Sequence, residues 1–306
     1  MNDFQPKVAI LIGCYNHEKY IESCLESVLE QSYSNIVIYI SDDYSTDDTV
    51  RVISEYITNY SNRFDIIFDA KLSNVGVANN YNSLIQSALK DNDVRYIIPF
   101  AGDDLMLKEK VACQIRELER NKDIHLCYSN MQWFNSENDK KIINHFNLLF
   151  KPSTSLDKII GEAIIPTPTL CIRREALEKI KYNNELKYIN DYLLSVELAL
   201  LGGVIYISDI LVRYRKHGAS IMDTTLFLEE RVDAANYIIE HYGYESAAKH
   251  FAGTARFDYL LKYLNENNYR GLIIQFVKLI PDFFSSQKWF FRLLKFLSLC
   301  FKKVVR

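Results

Sequence analysis

The sequence predicts an α/β fold: a mostly parallel sheet flanked by helices, followed by a helical C-terminal region. Three observations predict it. Short apolar runs alternate with amphipathic segments of helical period across the first hundred residues. The runs are apolar nearly throughout rather than at every second position, which marks strands covered on both faces. From residue 224 onward only helical periodicity continues, so two domains are expected, 1–223 and 224–306.

The elements follow in order. KVAILIG (7–13) reads as a buried strand. Residues 18–31 place Ile21, Cys24, Leu25, Val28 and Leu29 at i, i+3, i+4, i+7 and i+8, an amphipathic helix. NIVIYIS (35–41) is the second strand, and Ser45-Thr46-Asp47-Asp48 opens a helix with more capping side chains than one cap needs. FDIIFDA (64–70) is a third strand, 77–90 a helix, and VRYIIPF (94–100) a fourth strand. Pro99 marks its exit, because proline has no N–H for a ladder. Residues 124–134 alternate partly, as a strand does, and 155–182 mix helix and strand around IPTPT. A helix over 189–203 ends on Gly202-Gly203, a C-cap signal. VIYIS and ILVRYRKH read as two short strands, and helices are expected over 225–241, 245–266, 269–280 and 287–304.

Composition removes several function classes. At 306 residues, with 48% hydrophobic and 25% charged residues, the chain can bury a sizeable core. Six cysteines include no CxxC pair, and no histidine stands at zinc-finger spacing, so a zinc site is not expected. The cysteines fall mostly in apolar runs, as free thiols of a reducing cytoplasm do. The N-terminus lacks a secretory pattern, and no window approaches 18 uncharged apolar residues. Net charge is −3, but the six basic residues from Lys288 to Arg306 meet no acid after Asp282, which leaves −9 on residues 1–287. An acidic body speaks against nucleic acid as a partner. There is no GxGxxG and no GxxxxGK[ST].

The polar residues cluster where strands end. The first strand runs into Cys14-Tyr15-Asn16-His17, the second into Asp42-Asp43, the third leads to Asn74-Val75-Gly76, and the fourth ends on Asp103-Asp104. In a parallel sheet these lie at one edge, beyond the carboxyl ends of the strands, where ligands bind. Helix capping is the structural alternative for each acidic pair and for Asp191.

CYN (14–16), SVLEQSY (27–33), DDYSTDDT (42–49), NVG (74–76), GDD (102–104), ND (190–191) and YRKHGAS (214–220) stand in an order that resembles the family 2 glycosyltransferases. The resemblance covers residues 6–220 and implies a Rossmann-like, glycosyltransferase A-type sheet. It makes 1–223 the nucleotide-sugar-binding catalytic domain and implies an inverting, metal-dependent transfer of one sugar. The donor is expected to be a UDP- or dTDP-sugar, and the acceptor a surface glycan, lipid-linked or not. The chain departs from the family in reading Ala101-Gly102-Asp103-Asp104 where relatives often have Asp-x-Asp-Asp. It carries ANNYN (78–82) where many carry an arginine. The Gln-x-x-Arg-Trp motif of processive synthases is absent, which favours single addition over polymerisation.

Residue roles follow from that resemblance and from the chemistry. Neighbouring side chains on an extended segment point opposite ways, so one of Asp103 and Asp104 faces a metal and the other a ribose. Family similarity gives the cation, Mn²⁺ or Mg²⁺, to Asp104 and the ribose to Asp103; such a hard ion bridges carboxylate and diphosphate. Asp43 is expected to accept the N3–H of uracil or thymine, Tyr15 to stack on the base, and Asn74 to belong to the same nucleotide site. Asp191 is the candidate general base for the acceptor hydroxyl. His217 is a candidate metal or diphosphate ligand, on one strand face with Arg213 and Arg215.

The tail has its own pattern. At 100° per residue its six basic positions fall within about 100°, and aromatic and aliphatic residues fill most of the rest, as in an interfacial helix. Peripheral contact of 287–306 with the inner face of the cytoplasmic membrane is therefore expected, with docking on protein as the alternative. A non-catalytic nucleotide-sugar sensor or scaffold is the rival function; in it, Asp191 would be dispensable.

Overall fold

The computed structural model describes residues 5–60, 65–135, 152–162, 165–216, 225–283 and 287–304. It forms two compact units. The first comprises Met1–Ile159 and Ala163–Gly218; the second comprises Ile160–Glu162 and Ala219–Arg306.

The first unit is built on one mixed sheet of eight strands in the order β3-β2-β1-β4-β7-β6-β8-β5. β1 (Lys7–Cys14), β2 (Ile36–Asp42), β3 (Asp65–Ala70) and β4 (Val94–Ala101) pair in parallel. β1 and β2 are apolar nearly throughout because both faces are covered. Helices α1 (Ile21–Leu29), α2 (Thr49–Tyr60), α3 (Val77–Leu89) and α4 (Lys110–Arg120) follow the strands they connect. β1–β4 and α1–α3 match strand or helical segments expected from the sequence.

β7 (Leu170–Arg173) then enters antiparallel to β4, and β6 (Leu126–Asn135) antiparallel to β7. Pro99 lies in β4 beyond the two residues that pair with β7, so its missing N–H interrupts no ladder there. The two short strands expected after residue 203 are one strand, β8 (Val204–Lys216). Its register against β6 slips between Ser129↔Ile207 and Asn130↔Ile210. That irregularity carries the strand through Ser208-Asp209, the polar break that split the sequence pattern. β8 also pairs with β5 (Leu105–Met106), the two residues after the carboxylate pair.

In the second unit the helices Thr225–Tyr242, Glu245–Asn265, Tyr269–Phe283 and Gln287–Val304 fall where the periodicity expected them. Trp289 and Phe296 of the last helix are buried with Phe257, Leu260, Leu264 and Leu279, so part of its apolar arc belongs to this unit's core. No helix among the described residues is long and apolar enough to cross a membrane.

Candidate active site

Register sets the site. Cys14 lies level with Asp42, Asp42 with Ala70, and Gly13 with Ala101. Tyr15, Asp43, the 71–76 segment and the Gly102-Asp103-Asp104 turn therefore leave the sheet at one edge.

Much of the polar sequence there holds loop to loop. Asn16 and Tyr44 adopt left-handed φ of 57° and 66°, which folds the β1 and β2 exits toward each other. The Asn16 backbone N–H donates to Ser45 Oγ (2.8 Å), and Thr46 N–H donates to Asn16 Oδ1 (2.8 Å). His17 N–H donates to Thr49 Oγ1 (2.7 Å), and Glu18 N–H to Asp47 Oδ2 (3.1 Å). Asp42 accepts from the Ser45 N–H and hydroxyl. Asp47 accepts from Thr49 N–H (3.0 Å), so it, and neither residue of the Asp42-Asp43 pair, binds the start of α2.

Asp43 is buried at the end of β2. Its Oδ1 accepts from Val75 N–H (2.7 Å) and its Oδ2 from Gly76 N–H (2.9 Å). Asn74 Nδ2 donates to the Asp43 carbonyl (3.0 Å). The carboxylate thus fastens the NVG segment and keeps a further lone pair on each oxygen for a base N–H. Gly76 precedes α3 at φ 83°, a conformation that favours glycine. The Tyr15 ring is exposed beside this corner of the chain.

The Gly102-Asp103-Asp104 turn is tightly seated. Gly102 N–H donates to the Gly13 carbonyl (3.0 Å). A Cβ at Gly102 would stand 2.7 Å from Cys14 Sγ and 2.9 Å from His17 Nδ1, so only glycine fits without displacing the β1 exit. Burial pushes the Cys14 and Cys24 thiols well above their ordinary range, which leaves both protonated packing groups. Asp103 is partly open, with Oδ2 3.9 Å from His17 Nε2. Asp104 is buried. Its Oδ1 accepts from Arg215 N–H (2.8 Å), while Oδ2 is buried with no hydrogen-bond donor among the described residues. Burial, then the charge of Asp103, holds its carboxyl well above the usual range.

Neither carboxylate caps a helix. α4 begins at Lys110 with Glu109 at the N-cap position, and β5 intervenes. What β8 brings instead is Arg215. Its Nε donates to the Asp103 carbonyl (2.6 Å) and its Nη2 to Ser23 Oγ (3.2 Å). Its guanidinium lies over the Tyr20 and Phe134 rings, and Arg213 lies over the same Phe134 ring, so the two arginines share a face as alternation requires. His217 lies outside the described residues.

Asp191 stands in the first turn of the helix Asn190–Gly202, whose N-cap position is Ile189, so it is not the cap. Its Oδ1 accepts from Tyr192 N–H (2.8 Å), and burial raises its carboxyl to about 6. Burial first, then the charges of Asp104, Asp103 and Asp191, push the Tyr214 phenol up, so all three acids act electrostatically on one ring. Sequence reasoning had no signal for Tyr214 as that meeting point. Nor had it one for His17 beside Asp103, although both stand inside quoted motifs.

The residues fit a hard divalent cation. The turn offers the partly open carboxylate of Asp103 as an oxygen donor, and behind it the Asp104 carboxylate, whose buried Oδ2 no hydrogen bond satisfies. Mg²⁺ and Mn²⁺ are commonly held by one or two carboxylates with phosphate and water. Among the described residues no cluster of three or more His, Cys, Asp or Glu side chains converges on one point.

Comparison with known proteins agrees with this architecture. EpsE of Bacillus subtilis (strain 168), which carries a glycosyltransferase name, is 33% identical over 129 residues, 42% of this chain and 44% of EpsE. RT0329 of Rickettsia typhi, named an uncharacterized glycosyltransferase, is 27% identical over 244 residues, 76% of this chain and 71% of its own. The chain spans about half the length of the first curated relatives it matches. S. aureus TarS 1-349 in complex with UDP-GlcNAc superposes with a TM-score of 0.67 at 18% identity, covering 88% of this chain and 79% of that one. The mannosyltransferase PcManGT from Pyrobaculum calidifontis, in complex with GDP-Man and Mn²⁺, gives 0.65 at 13% identity, covering 98% and 87%. At these identities the likeness is one of fold: the curled, mostly parallel sheet of A-type glycosyltransferases. The family model for glycosyl transferase family 2 matches residues 9–181, and the chain belongs to that family.

Proposed function

We propose that this chain is an inverting glycosyltransferase that moves one sugar from a UDP- or dTDP-sugar to a surface-glycan acceptor with a divalent cation bound at Gly102-Asp103-Asp104. The observation that carries the reading is the convergence of Asp43, Asp103 and Asp104 at one sheet edge. The UDP-GlcNAc complex of TarS supports a uridine donor, and the Mn²⁺ complex of PcManGT supports the metal.

Tyr15, Asp43 and Asn74 hold the nucleotide end: the ring stacks, and the Asp43 carboxylate accepts the base N–H on its remaining lone pair. At the turn, burial favours exchanging the two roles expected from the sequence. Asp103, which opens outward beside His17, faces the cation, and Asp104 stands behind it, held by Arg215. The cation, when bound, neutralises charge on the departing diphosphate. His217 is retained as a ligand candidate. Asp191 takes the proton of the attacking hydroxyl as that hydroxyl displaces the diphosphate from the anomeric carbon. A lipid-linked acceptor would be met at the inner face of the cytoplasmic membrane, with residues 287–306 at the contact.

Calorimetric titration of UDP and dTDP, with and without Mn²⁺, tests this on the wild type, Asp103→Asn and Asp104→Asn. Mn²⁺-dependent binding of one nucleotide is expected, with the larger loss in Asp103→Asn. A larger loss in Asp104→Asn returns the cation to Asp104. No binding by the wild type, or unchanged binding in both variants, removes the metal–diphosphate site.

A further inference from the structure

The tail helix carries more apolar surface than its own packing uses. Trp289, Leu293, Phe296 and Cys300, at i, i+4, i+7 and i+11, face the core of the helical unit. The next stripe round the helix includes Leu294 and Leu297, each 47% exposed. The preceding helix, Tyr269–Phe283, repeats the arrangement. Leu272, Phe276 and Leu279 pack inward, while Ile273, Val277 and Ile280, one position on, remain exposed, the first two by 60% and 57%. Each helix therefore has one apolar stripe that the core takes and a second that it leaves in water.

Charge identifies the occupant. From residue 267 to 306 the chain carries eight basic residues and a single acid, Asp282. Arg270, Lys278 and Lys295 are exposed on these same two helices. A second copy of the chain would bring the same positive charge to the contact. A surface of anionic headgroups over acyl chains satisfies both features, and neither helix is long and apolar enough to cross a bilayer.

We propose that the helices Tyr269–Phe283 and Gln287–Val304 together dock on an anionic bilayer surface. Ile273, Val277, Leu294 and Leu297 enter the interface, and Arg270, Lys278 and Lys295 meet the headgroups. This rests on the peripheral contact proposed above, and changes it. The lipid face includes the penultimate helix and excludes Trp289 and Phe296, which the core of the helical unit takes.

Co-sedimentation of the full chain with vesicles tests it, using phosphatidylcholine alone and phosphatidylcholine with phosphatidylglycerol. The wild type is expected on the anionic vesicles and scarcely on the neutral ones. Ile273→Ser, Val277→Ser, Leu294→Ser and Leu297→Ser combined should lower partition at least tenfold with the thermal midpoint preserved. Lys278→Gln with Lys295→Gln should lower it about twenty-five-fold on anionic vesicles only. Equal partition on both vesicle types overturns the proposal. So does absence from vesicles by a wild type that light scattering finds dimeric and the four-serine variant makes monomeric. UDP binding measured on each protein separates the two readings: lost partition with intact binding condemns only this surface, and partition without any nucleotide binding condemns only the sugar transfer.

Discussion

Asp191 is a carboxyl raised to about 6 on the first turn of a helix, and that value fixes how activity should depend on pH. Below about 6 it is protonated and cannot accept a proton; above, it is a carboxylate placed near the operating pH of a base. The rate kcat/KM should climb tenfold per pH unit up to about 6 and then level. Asp191→Asn should flatten that limb and lower kcat by about 10²–10⁴-fold while UDP affinity stays as it was, which calorimetry checks. Intact turnover in this variant would remove Asp191 as the base, and nucleotide binding with no turnover in the wild type would favour the sensor or scaffold reading. The acids themselves were legible in the sequence, because strand ends bearing Asp pairs in a parallel sheet converge on one edge. Their division of labour was not. Asp47 and Asp42 hold loops, Asp43 fastens Val75 and Gly76, and Asp104 is covered, and each assignment depends on hydrogen bonds formed across the fold.

Among the elements, α4 shows what periodicity leaves out. Its first residue, Lys110, is wholly buried, donating to Gln114 Oε1 (2.6 Å) and to the Leu170 carbonyl (3.1 Å), and Gln114 donates to the Thr169 carbonyl (2.7 Å). Burial lowers its amine to about 8. The unfolded chain, with an ordinary amine, binds more protons than the folded one between about 8 and 10.5, so this group makes stability rise with pH across that window. Unfolding free energies from urea titrations at pH 7.5 to 9.5 should rise in the wild type relative to Lys110→Met, by up to about 1.4 kcal/mol per pH unit. A lysine ahead of an amphipathic run reads in sequence as a solvated surface charge. Only the docking of α4 against residues 169–170 encloses it. β8 went astray for a similar reason: Ser208-Asp209 looks like a turn until β6 supplies a partner whose register accommodates it.

At the scale of the molecule, β1–β4 were legible because their order follows from local alternation and right-handed crossover. β6 and β8 were legible as strand segments, but the pairing of β7, β6, β8 and β5 was not, since it joins residues far apart in the chain and leaves no local trace. The same non-locality orders assembly. Loop closure over a long segment comes late and costs more than pairing of adjacent units. In pulse-labelled hydrogen exchange during refolding, amides of β1 and β2 should be protected before the Arg215 amide that binds Asp104. Simultaneous protection would mean that the first unit forms in one step. During synthesis the consequence is a delay. The carboxylate pair leaves the ribosome 111 residues before the strand that clasps Asp104. For that interval the nascent chain carries the letters of the motif without the rigid turn that sets them in place.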